Sequence, residues 1–398
     1  MRAAVPALVL VLAAAVPLPA QAPGARVLPV LYLPADLPFD TARLRLQVAA
    51  VRDVRAWYAE RLGGLSFYAD PLVVQRSRHT FAELAGADFQ NWWPLPEREF
   101  AGWGLPWNDS SRIKILLLAQ GAGAWAGADS ENGGIGSEAE AGRVDRGWLG
   151  GLAVVGDSSL GGILAGVCPR EGAASHRKPE GGTEWWCNWN TYRGTIAHEL
   201  GHTFGVPHPD AFRAGFHCDS TVIANMQCHW AWPADSLLPF EAAHLRSLPV
   251  FGPDALAEWE RAVPAAARNA RFPVFERDAV VLWLAGRGGG TGYLWGVELT
   301  GDTAGTSDVT WARPAGAVRF VADLGLPPGA GRPARYRIEA GADVVEGTIN
   351  PGDPPRTVVL ETRNAREVRL RIDGGPGVRL GIGNPRWSPR DPAPAPAS

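Results

Sequence analysis

In the first part of the chain, the hydrophobic residues form several short runs typical of β-strands and one segment with the spacing typical of a helix. Residues 26–34 are a nearly continuous apolar run, which predicts a buried strand. After Asp40, a candidate helix N-cap, apolar residues recur every three or four positions up to Leu62. This spacing predicts an amphipathic helix that ends at Gly63-Gly64. Three more short apolar runs predict further strands, at residues 72–74, 113–118 and 152–155.

The pattern changes after about residue 250. Residues 253–268 are interpreted as a helix that closes the first domain. From about residue 271 the chain has short apolar runs between turns rich in glycine and proline, which predicts a small antiparallel β-sandwich. These runs lie at residues 280–284, 318–321, 336–338 and 368–372. Residues 385–398 contain a Pro-Ala repeat and predict a disordered tail.

The first 22 residues have the pattern of a cleavable export signal. Arg2 precedes an apolar run over residues 3–16, and Ala20-Gln21-Ala22 is a small-x-small cleavage site. The run is too short for a permanent membrane anchor, and no other segment approaches the length that a span needs. We therefore expect a secreted or periplasmic protein without a membrane span.

The candidate chemistry lies in one segment, His198-Glu199-Leu200-Gly201-His202-Thr203-Phe204-Gly205-Val206-Pro207-His208. Its pattern is H-E-x-x-H-x-x-G-x-x-H. Two histidines four positions apart point the same way from a helix, so His198 and His202 can bind one zinc ion while Glu199 reaches its water. Gly205 allows the backbone to leave the helix through the left-handed region, and His208 can then return as a third ligand. A fourth position left open for water is the mark of a catalytic zinc site.

A single methionine, Met226, follows this segment. With it, the chain resembles the metzincins, a clan of zinc endopeptidases that have this extended motif and a later Met-turn. The resemblance implies that His198, His202 and His208 are the zinc ligands and that Glu199 is the general base. It also implies that Met226 forms an apolar floor beneath the metal. The resemblance covers roughly residues 26–250, and its specific part is residues 194–228.

Two departures leave the subfamily open. Cys228 stands two residues after Met226, where some metzincins have a tyrosine that serves as an extra ligand and transition-state donor. The pair His208-Pro209 resembles the serralysin-like branch, but the glycine-rich calcium repeats of that branch are missing from the C-terminal part. The assignment therefore stops at the clan.

The implied fold is an α+β metzincin-like catalytic domain, with a twisted mixed sheet and a zinc-binding helix, followed by an all-β sandwich. The sandwich is distantly similar to the galactose-binding-like jelly rolls of exported hydrolases. We expect a signal peptide at residues 1–22, a zinc protease domain at 23–268, a sandwich accessory domain at 271–384 and a tail at 385–398.

By analogy with metzincins, the strand at 152–155 is expected to be the sheet edge that faces the active-site cleft, with Leu152 and Val154 as cleft residues. Asp157, which follows this strand, is interpreted as a turn residue. Tryptophans 185, 186 and 189 precede the zinc helix. They either line the cleft or bury loops against the sheet, and the second role is the commoner one.

The four cysteines flank the zinc motif, which in an exported protein favours disulfides. Three pairings exist, and proximity in sequence favours Cys168–Cys187 and Cys218–Cys228. A cysteine-based second zinc site is the weaker alternative, because the chain has no C-x-x-C pair.

The amino-acid composition limits the classes of binding partner that we expect. The formal net charge of −3 argues against nucleic acid and anionic membranes. Lysine occurs only at Lys114 and Lys178, a scarcity that we attribute to codon bias. One catalytic Zn²⁺ is the expected cofactor. Residues 121–150, rich in glycine and acid, would suit a loop or a loop stabilised by Ca²⁺, but no motif indicates that ion.

The expected function is exported, zinc-dependent endopeptidase activity, in which Glu199 activates a zinc-bound water that hydrolyses peptide bonds of polypeptide substrates. Two alternatives remain open. One is a glycan- or surface-binding protein that uses its C-terminal domain and has an inactive zinc domain. The other is a zinc amidase that acts on non-peptide substrates.

Overall fold

A computed structural model describes the chain from residue 25 to residue 388, with gaps. The described residues are 25–87, 89–103, 105, 113–121, 126–129, 150–157, 160, 163–165, 175–176, 185–186, 189–206, 236–256, 260–272, 280–286 and 290–388. Within these ranges no helix has the length and apolar character that crossing a bilayer requires.

The N-terminal elements up to residue 252 are, in chain order, β1 (Arg26–Leu33), α1 (Thr41–Arg61), β2 (Ser66–Phe67), β3 (Val73–Arg76), α2 (Phe81–Gly86), α3 (Phe89–Trp92), α4 (Pro94–Trp103), β4 (Ile113–Ala119), β5 (Ala126–Asp129), β6 (Gly151–Gly156), β7 (Ser175–His176), β8 (Trp185–Trp186), α5 (Trp189–Thr203), α6 (Pro239–Ser247) and β9 (Phe251–Gly252). The remaining elements are the strands β10 (Glu260–Arg261), β11 (Ala266–Arg268), β12 (Ala270–Arg271), β13 (Leu282–Leu284), β14 (Thr291–Tyr293), β15 (Gly296–Thr300), β16 (Thr306–Ala312), β17 (Arg319–Gly325), β18 (Ala334–Ala340), β19 (Asp343–Ile349), β20 (Arg356–Glu361), β21 (Glu367–Asp373) and β22 (Arg379–Ser388).

The first sheet has seven strands in the order β13-β14-β3-β1-β4-β6-β5. Its four central strands are parallel, and β5 and the β13–β14 hairpin are antiparallel at the two edges. The central strands are buried on both faces, which is why they read as continuous apolar runs in the sequence. The predicted strands at 26–34, 72–74, 113–118 and 152–155 are confirmed as β1, β3, β4 and β6.

Helices cover both faces of this sheet. Helices α1 and α5 lie on one face, where alternate strand residues such as Leu116 and Val155 join their core. The other face packs against aromatic residues of the α3–α4 segment, among them Trp92 and Phe100. Helix α1 begins at the predicted N-cap: the Asp40 carboxylate accepts from the backbone N–H groups of the first turn.

The C-terminal strands form a two-sheet sandwich, as predicted. One sheet has the order β12-β15-β22-β17-β20, with β10 also paired to β22, and the other has the order β11-β16-β21-β18-β19. All pairs in both sheets are antiparallel. Trp311, Phe320 and Trp387 pack together in the core between them.

The boundary between the two parts is less simple than the predicted division at residues 268–271. Strand β10 already pairs with β22 of the sandwich. The chain then returns to the first sheet, because the β13–β14 hairpin pairs with β3. The apolar run at 280–284 is therefore a strand, as predicted, but it belongs to the first sheet.

Three local predictions are wrong. The helix expected at 253–268 is absent: a turn and the strands β10 and β11 occupy its described part. Residues 385–388 of the expected tail belong to β22, and the rest of that segment lies outside the described residues. Strand β6 is not a sheet edge, because β5 pairs along its outer side.

Candidate metal centre

The first six residues of the candidate zinc motif, 198–203, lie on α5. This helix is held by its packing more than by its intrinsic helix propensity. Gly194 and Gly201 lie inside the helix, and each costs about 1 kcal/mol relative to alanine. Tertiary contacts offset this cost: Ile196, Ala197 and Leu200 are buried against the sheet and α1. The Tyr58 hydroxyl on α1 also donates to the carbonyl oxygen of Ala197 at 2.8 Å.

The two histidines of the motif face each other. The Nε2 atoms of His198 and His202 lie 3.0 Å apart, and the two rings are nearly perpendicular. Two imidazoles bound to one tetrahedral zinc at Zn–N distances of 2.0–2.1 Å would place these atoms roughly 3.4 Å apart. The observed separation is close to that value, so this pair fits a shared zinc ion.

Glu199 completes a cluster of possible metal-binding groups. Ligand atoms of His198, Glu199 and His202 all lie within 4.8 Å of one another. His198 and Glu199 are each 7 % exposed and His202 is partly exposed, so the cluster is largely buried but reaches solvent. Burial raises the pKa of Glu199 to about 8. A divalent cation held by the adjacent histidines would favour the ionised carboxylate, since opposite charge lowers a carboxyl pKa.

The end of α5 fixes the orientation of His202. The backbone at Gly205 has φ +83°, the left-handed conformation that the motif predicts. Val206 N–H donates to the Gly201 carbonyl and Gly205 N–H to the His202 carbonyl, which is the Schellman pattern of helix termination. The His202 Nδ1 atom lies 2.8 Å from the Val206 carbonyl oxygen. Because that oxygen only accepts, Nδ1 carries the proton and Nε2 presents its lone pair to a metal.

Two residues that we did not single out from the sequence also hold this helix end. The Lys114 ammonium, on β4, donates to the Thr203 carbonyl oxygen at 2.6 Å. The His244 Nε2 atom, on α6, lies 2.8 Å from the Phe204 carbonyl oxygen. Lys114 had a signal in the sequence: it is the only polar residue in the β4 run IKILLLA. Its burial is structural, which corrects our treatment of the two lysines as a matter of codon bias alone.

Leu152 and Val154, which we expected to line the cleft, lie elsewhere in the structure. Leu152 and Val154 are fully buried on the sheet face that packs against Trp92 and Phe100, whereas Ala153 belongs to the core around α5. The prediction that Leu152 and Val154 line a cleft at the sheet edge is therefore wrong, because β5 covers that edge and both side chains point away from the zinc helix.

The three tryptophans at and before the start of α5 lie in two different elements. Trp189, the first residue of α5, is 8 % exposed and stacks on Tyr192 with 6.1 Å between ring centroids, so it serves as a packing residue. Residues Trp185 and Trp186 form β8, which pairs with β7. Whether their side chains line the cleft remains a prediction.

Several predicted site residues lie outside the described part of the chain. They are His208, Met226, Cys168, Cys187, Cys218 and Cys228. The third zinc ligand, the Met-turn and the two disulfides therefore remain predictions.

Comparison with known proteins gives distant structural likenesses. No family model and no curated protein matches the sequence. Wild-type OgpA from Akkermansia muciniphila matches with a TM-score of 0.32 at 13 % identity, over 91 % of this chain and 92 % of that chain. The M60 catalytic domain with CBM51-1 and CBM51-2 domains from Clostridium perfringens ZmpB matches with a TM-score of 0.28 at 14 % identity, over 33 % of this chain.

The extent of these matches differs. The chain spans 15 % of that ZmpB structure and 30 % of a second ZmpB structure, which contains CBM51-2 and INT domains. It spans 94 % of a CBM51 from Clostridium perfringens GH95 in complex with methyl-galactose, with a TM-score of 0.24 at 14 % identity. At these values the likenesses do not assign a function to the chain.

Proposed function

We propose that the chain is an exported zinc-dependent endopeptidase of the metzincin type. The facing Nε2 atoms of His198 and His202, 3.0 Å apart with Glu199 in the same cluster, carry the proposal. The extended motif adds His208 as third ligand and Met226 as the residue beneath the metal. The N-terminal signal pattern supports export.

A bound zinc ion would supply Lewis acidity toward a water molecule and toward the carbonyl of the scissile bond. The protein's own part begins with the Glu199 carboxylate, which accepts the proton of the attacking water and later delivers it to the leaving amine. His202 keeps its Nε2 lone pair available because Nδ1–H is engaged by the Val206 carbonyl. The narrow exposure of His198 and Glu199 limits competing water at the reacting atoms.

Substrate would bind beside α5 at the edge of the first sheet. Among the described residues β5 pairs only with β6, and α5 packs against both strands. An unpaired outer edge can accept an extended peptide as an added strand, which gives main-chain recognition with few demands on side chains. This edge replaces β6 as the recognition element, and it favours a polypeptide substrate over a small amide.

The test combines metal analysis with a cleavage assay on the full secreted chain. The zinc content is measured, and cleavage of an unfolded protein is followed with and without 1,10-phenanthroline and after zinc is restored. Cleavage that the chelator abolishes and zinc restores supports the proposal. Stoichiometric zinc with no cleavage of any polypeptide would favour the amidase, and a chain that binds no zinc would favour the glycan- or surface-binding protein.

A further inference from the structure

Most of the last carbonyl groups of α5 accept hydrogen bonds from backbone N–H groups of the helix end itself. Phe204 N–H donates to the Leu200 carbonyl, and the Schellman pair satisfies Gly201 and His202. Helix ends leave their final carbonyls without such partners. Here those are the carbonyls of Thr203 and Phe204, and each receives a side-chain donor from a different element: Lys114 of β4 and His244 of α6.

We propose that Lys114 and His244 are positioning residues for the metal centre, which act on His202 through the turn at residues 203–206. This inference rests on the proposed function, because it assigns these side chains a role in holding zinc. Both residues lie outside the zinc motif and would not themselves touch the metal or the substrate.

The coupling runs through consecutive backbone groups. The Val206 carbonyl fixes the proton on His202 Nδ1 and thereby the direction of its Nε2 lone pair. Val206 belongs to a turn of only four residues, of which Thr203 and Phe204 are anchored by the two side chains. Gly205, between them and Val206, adds no side chain of its own to hold the turn. The anchors on Thr203 and Phe204, together with the Val206 N–H bond to the Gly201 carbonyl, therefore set where the Val206 carbonyl lies.

The surroundings of Lys114 make this anchor rigid. Lys114 is fully buried, and its ammonium lies 5.8 Å from the centre of the Phe204 ring. Phe204 itself packs against Tyr58, Phe67 and Phe251, with ring centroids 4.9–5.8 Å apart. A cation at the C-terminal end of α5 also interacts favourably with the helix dipole. Lys114 therefore lies against this aromatic cluster, and it is held by it.

The experiment measures zinc affinity in full-length variants by competition with a chromophoric chelator. Lys114→Met keeps the aliphatic stem and removes the donor, and His244→Leu does the same for the imidazole. His244→Gln restores an N–H donor. His79→Leu serves as the control, because His79 faces Glu83 on α2 and makes no hydrogen bond or ion pair with α5 among the described residues. Loss of an outer-shell partner typically weakens metal binding about 10- to 100-fold.

We expect Lys114→Met and His244→Leu to weaken zinc binding by about that factor, with His244→Gln and His79→Leu close to wild type. Hydrogen exchange at the amides of residues 203–206 should also accelerate in the two weakened variants, in the zinc-bound protein. If Lys114→Met fails to fold, the comparison of His244→Leu with His244→Gln decides the question alone.

The unfolding temperature separates positioning from general support. A merely structural role would lower it equally in the metal-free and zinc-bound proteins and leave the zinc-induced rise unchanged, and that result overturns the inference. Wild-type zinc affinity in both donor-removing variants also overturns it, while the proposed function stands. If the wild-type chain binds no zinc, the proposed function fails and takes this inference with it.

Discussion

Asp157, at the end of β6, is paired with Arg43 of α1, with 2.5 Å between Asp157 Oδ2 and Arg43 Nη1. Both side chains are largely buried, at 5 % and 13 % exposure. The pair therefore ties the carboxyl end of β6 to the helix that supports α5, which is more than the turn residue that we expected. Burial raises the pKa of Asp157 to about 6, and the Arg43 guanidinium offsets only part of this effect.

This pKa predicts a specific pH dependence of stability. A carboxyl whose pKa is higher in the folded than in the unfolded chain stabilises the fold in its protonated form. The contribution of Asp157 should be complete below about pH 4 and lost as pH rises through about 6. The difference between pKa values of 3.8 and about 6 corresponds to about 3 kcal/mol.

Asp157→Asn isolates this contribution, since other carboxyl groups titrate equally in both proteins. The free energy of unfolding would be measured with urea at intervals between pH 4 and pH 8. We expect wild type to lose about 2 kcal/mol relative to Asp157→Asn over this range, because part of the full difference is already lost at pH 4. A constant difference between the two proteins would show that Asp157 does not titrate as described.

Glu199→Gln should separate metal binding from catalysis. The amide keeps the size of the side chain but cannot accept a proton from water, so kcat should decrease by at least about 100-fold while zinc remains bound. Zinc content and cleavage of an unfolded protein are measured on the same preparation. Glu99→Gln is a matched control, because Glu99 is a buried glutamate on the opposite side of the sheet that binds Tyr32 and the Arg78 N–H. Near-normal turnover in Glu199→Gln would remove Glu199 from the mechanism.

Gly205→Ala tests the turn that ends the zinc helix. Gly63, which ends α1, provides a matched control with φ +69° and open space around an added Cβ. An L-residue in the left-handed region costs roughly 1–2 kcal/mol, so both alanine variants should lose that amount of unfolding free energy. Only Gly205→Ala should also weaken zinc binding, since only this turn holds the carbonyl that orients His202. Equal zinc affinities in the two variants would contradict this prediction.

Locally encoded features were predictable from the sequence. Helix α1 has a capping carboxylate, a helical apolar period and terminal glycines with positive φ, and all three signals lie within 25 residues. The zinc motif is also local, because a four-residue spacing on any helix brings His198 and His202 together. The buried parallel strands were predictable because a continuous apolar run of this length is typical of a strand that is buried on both faces.

Features that depend on pairing with distant parts of the chain were not predictable from the sequence. The run at 280–284 predicts a strand, but nothing in it shows that the chain crosses back to pair with β3. Residues 253–268 have helical spacing, yet Glu260 and Arg261 pair with β22, so tertiary pairing overrides a local preference that Pro264 already weakens. Strand β5 lies in a stretch rich in glycine and acid with no strand-like alternation, and only its neighbour β6 makes it a strand.

Arg386, on β22 of the sandwich, forms an ion pair with Asp70, which lies between β2 and β3. The distance between Arg386 Nη2 and Asp70 Oδ1 is 3.3 Å. Asp70 also binds Arg26 at 2.6 Å, and all three side chains are buried or nearly so. Burial opposes ionisation of Asp70, but the two guanidinium groups outweigh it and hold the pKa below its usual value. The ion pair joins the two parts of the chain in a region from which water is largely excluded.

A double-mutant cycle with Asp70→Asn and Arg386→Met measures this link. Hydrogen bonds to charged groups contribute about 1.5–3 kcal/mol, so we expect a coupling energy of about 2 kcal/mol near neutral pH. Because the folded pKa of Asp70 is lowered, the coupling is present above the usual carboxyl pKa and disappears as pH falls through the lowered value. The exposed pair Arg335–Asp373, 3.4 Å apart with both side chains more than 60 % exposed, is the control and should couple by less than about 1 kcal/mol. A coupling for Asp70–Arg386 no larger than that of the control would mean that solvent reaches the pair and screens it.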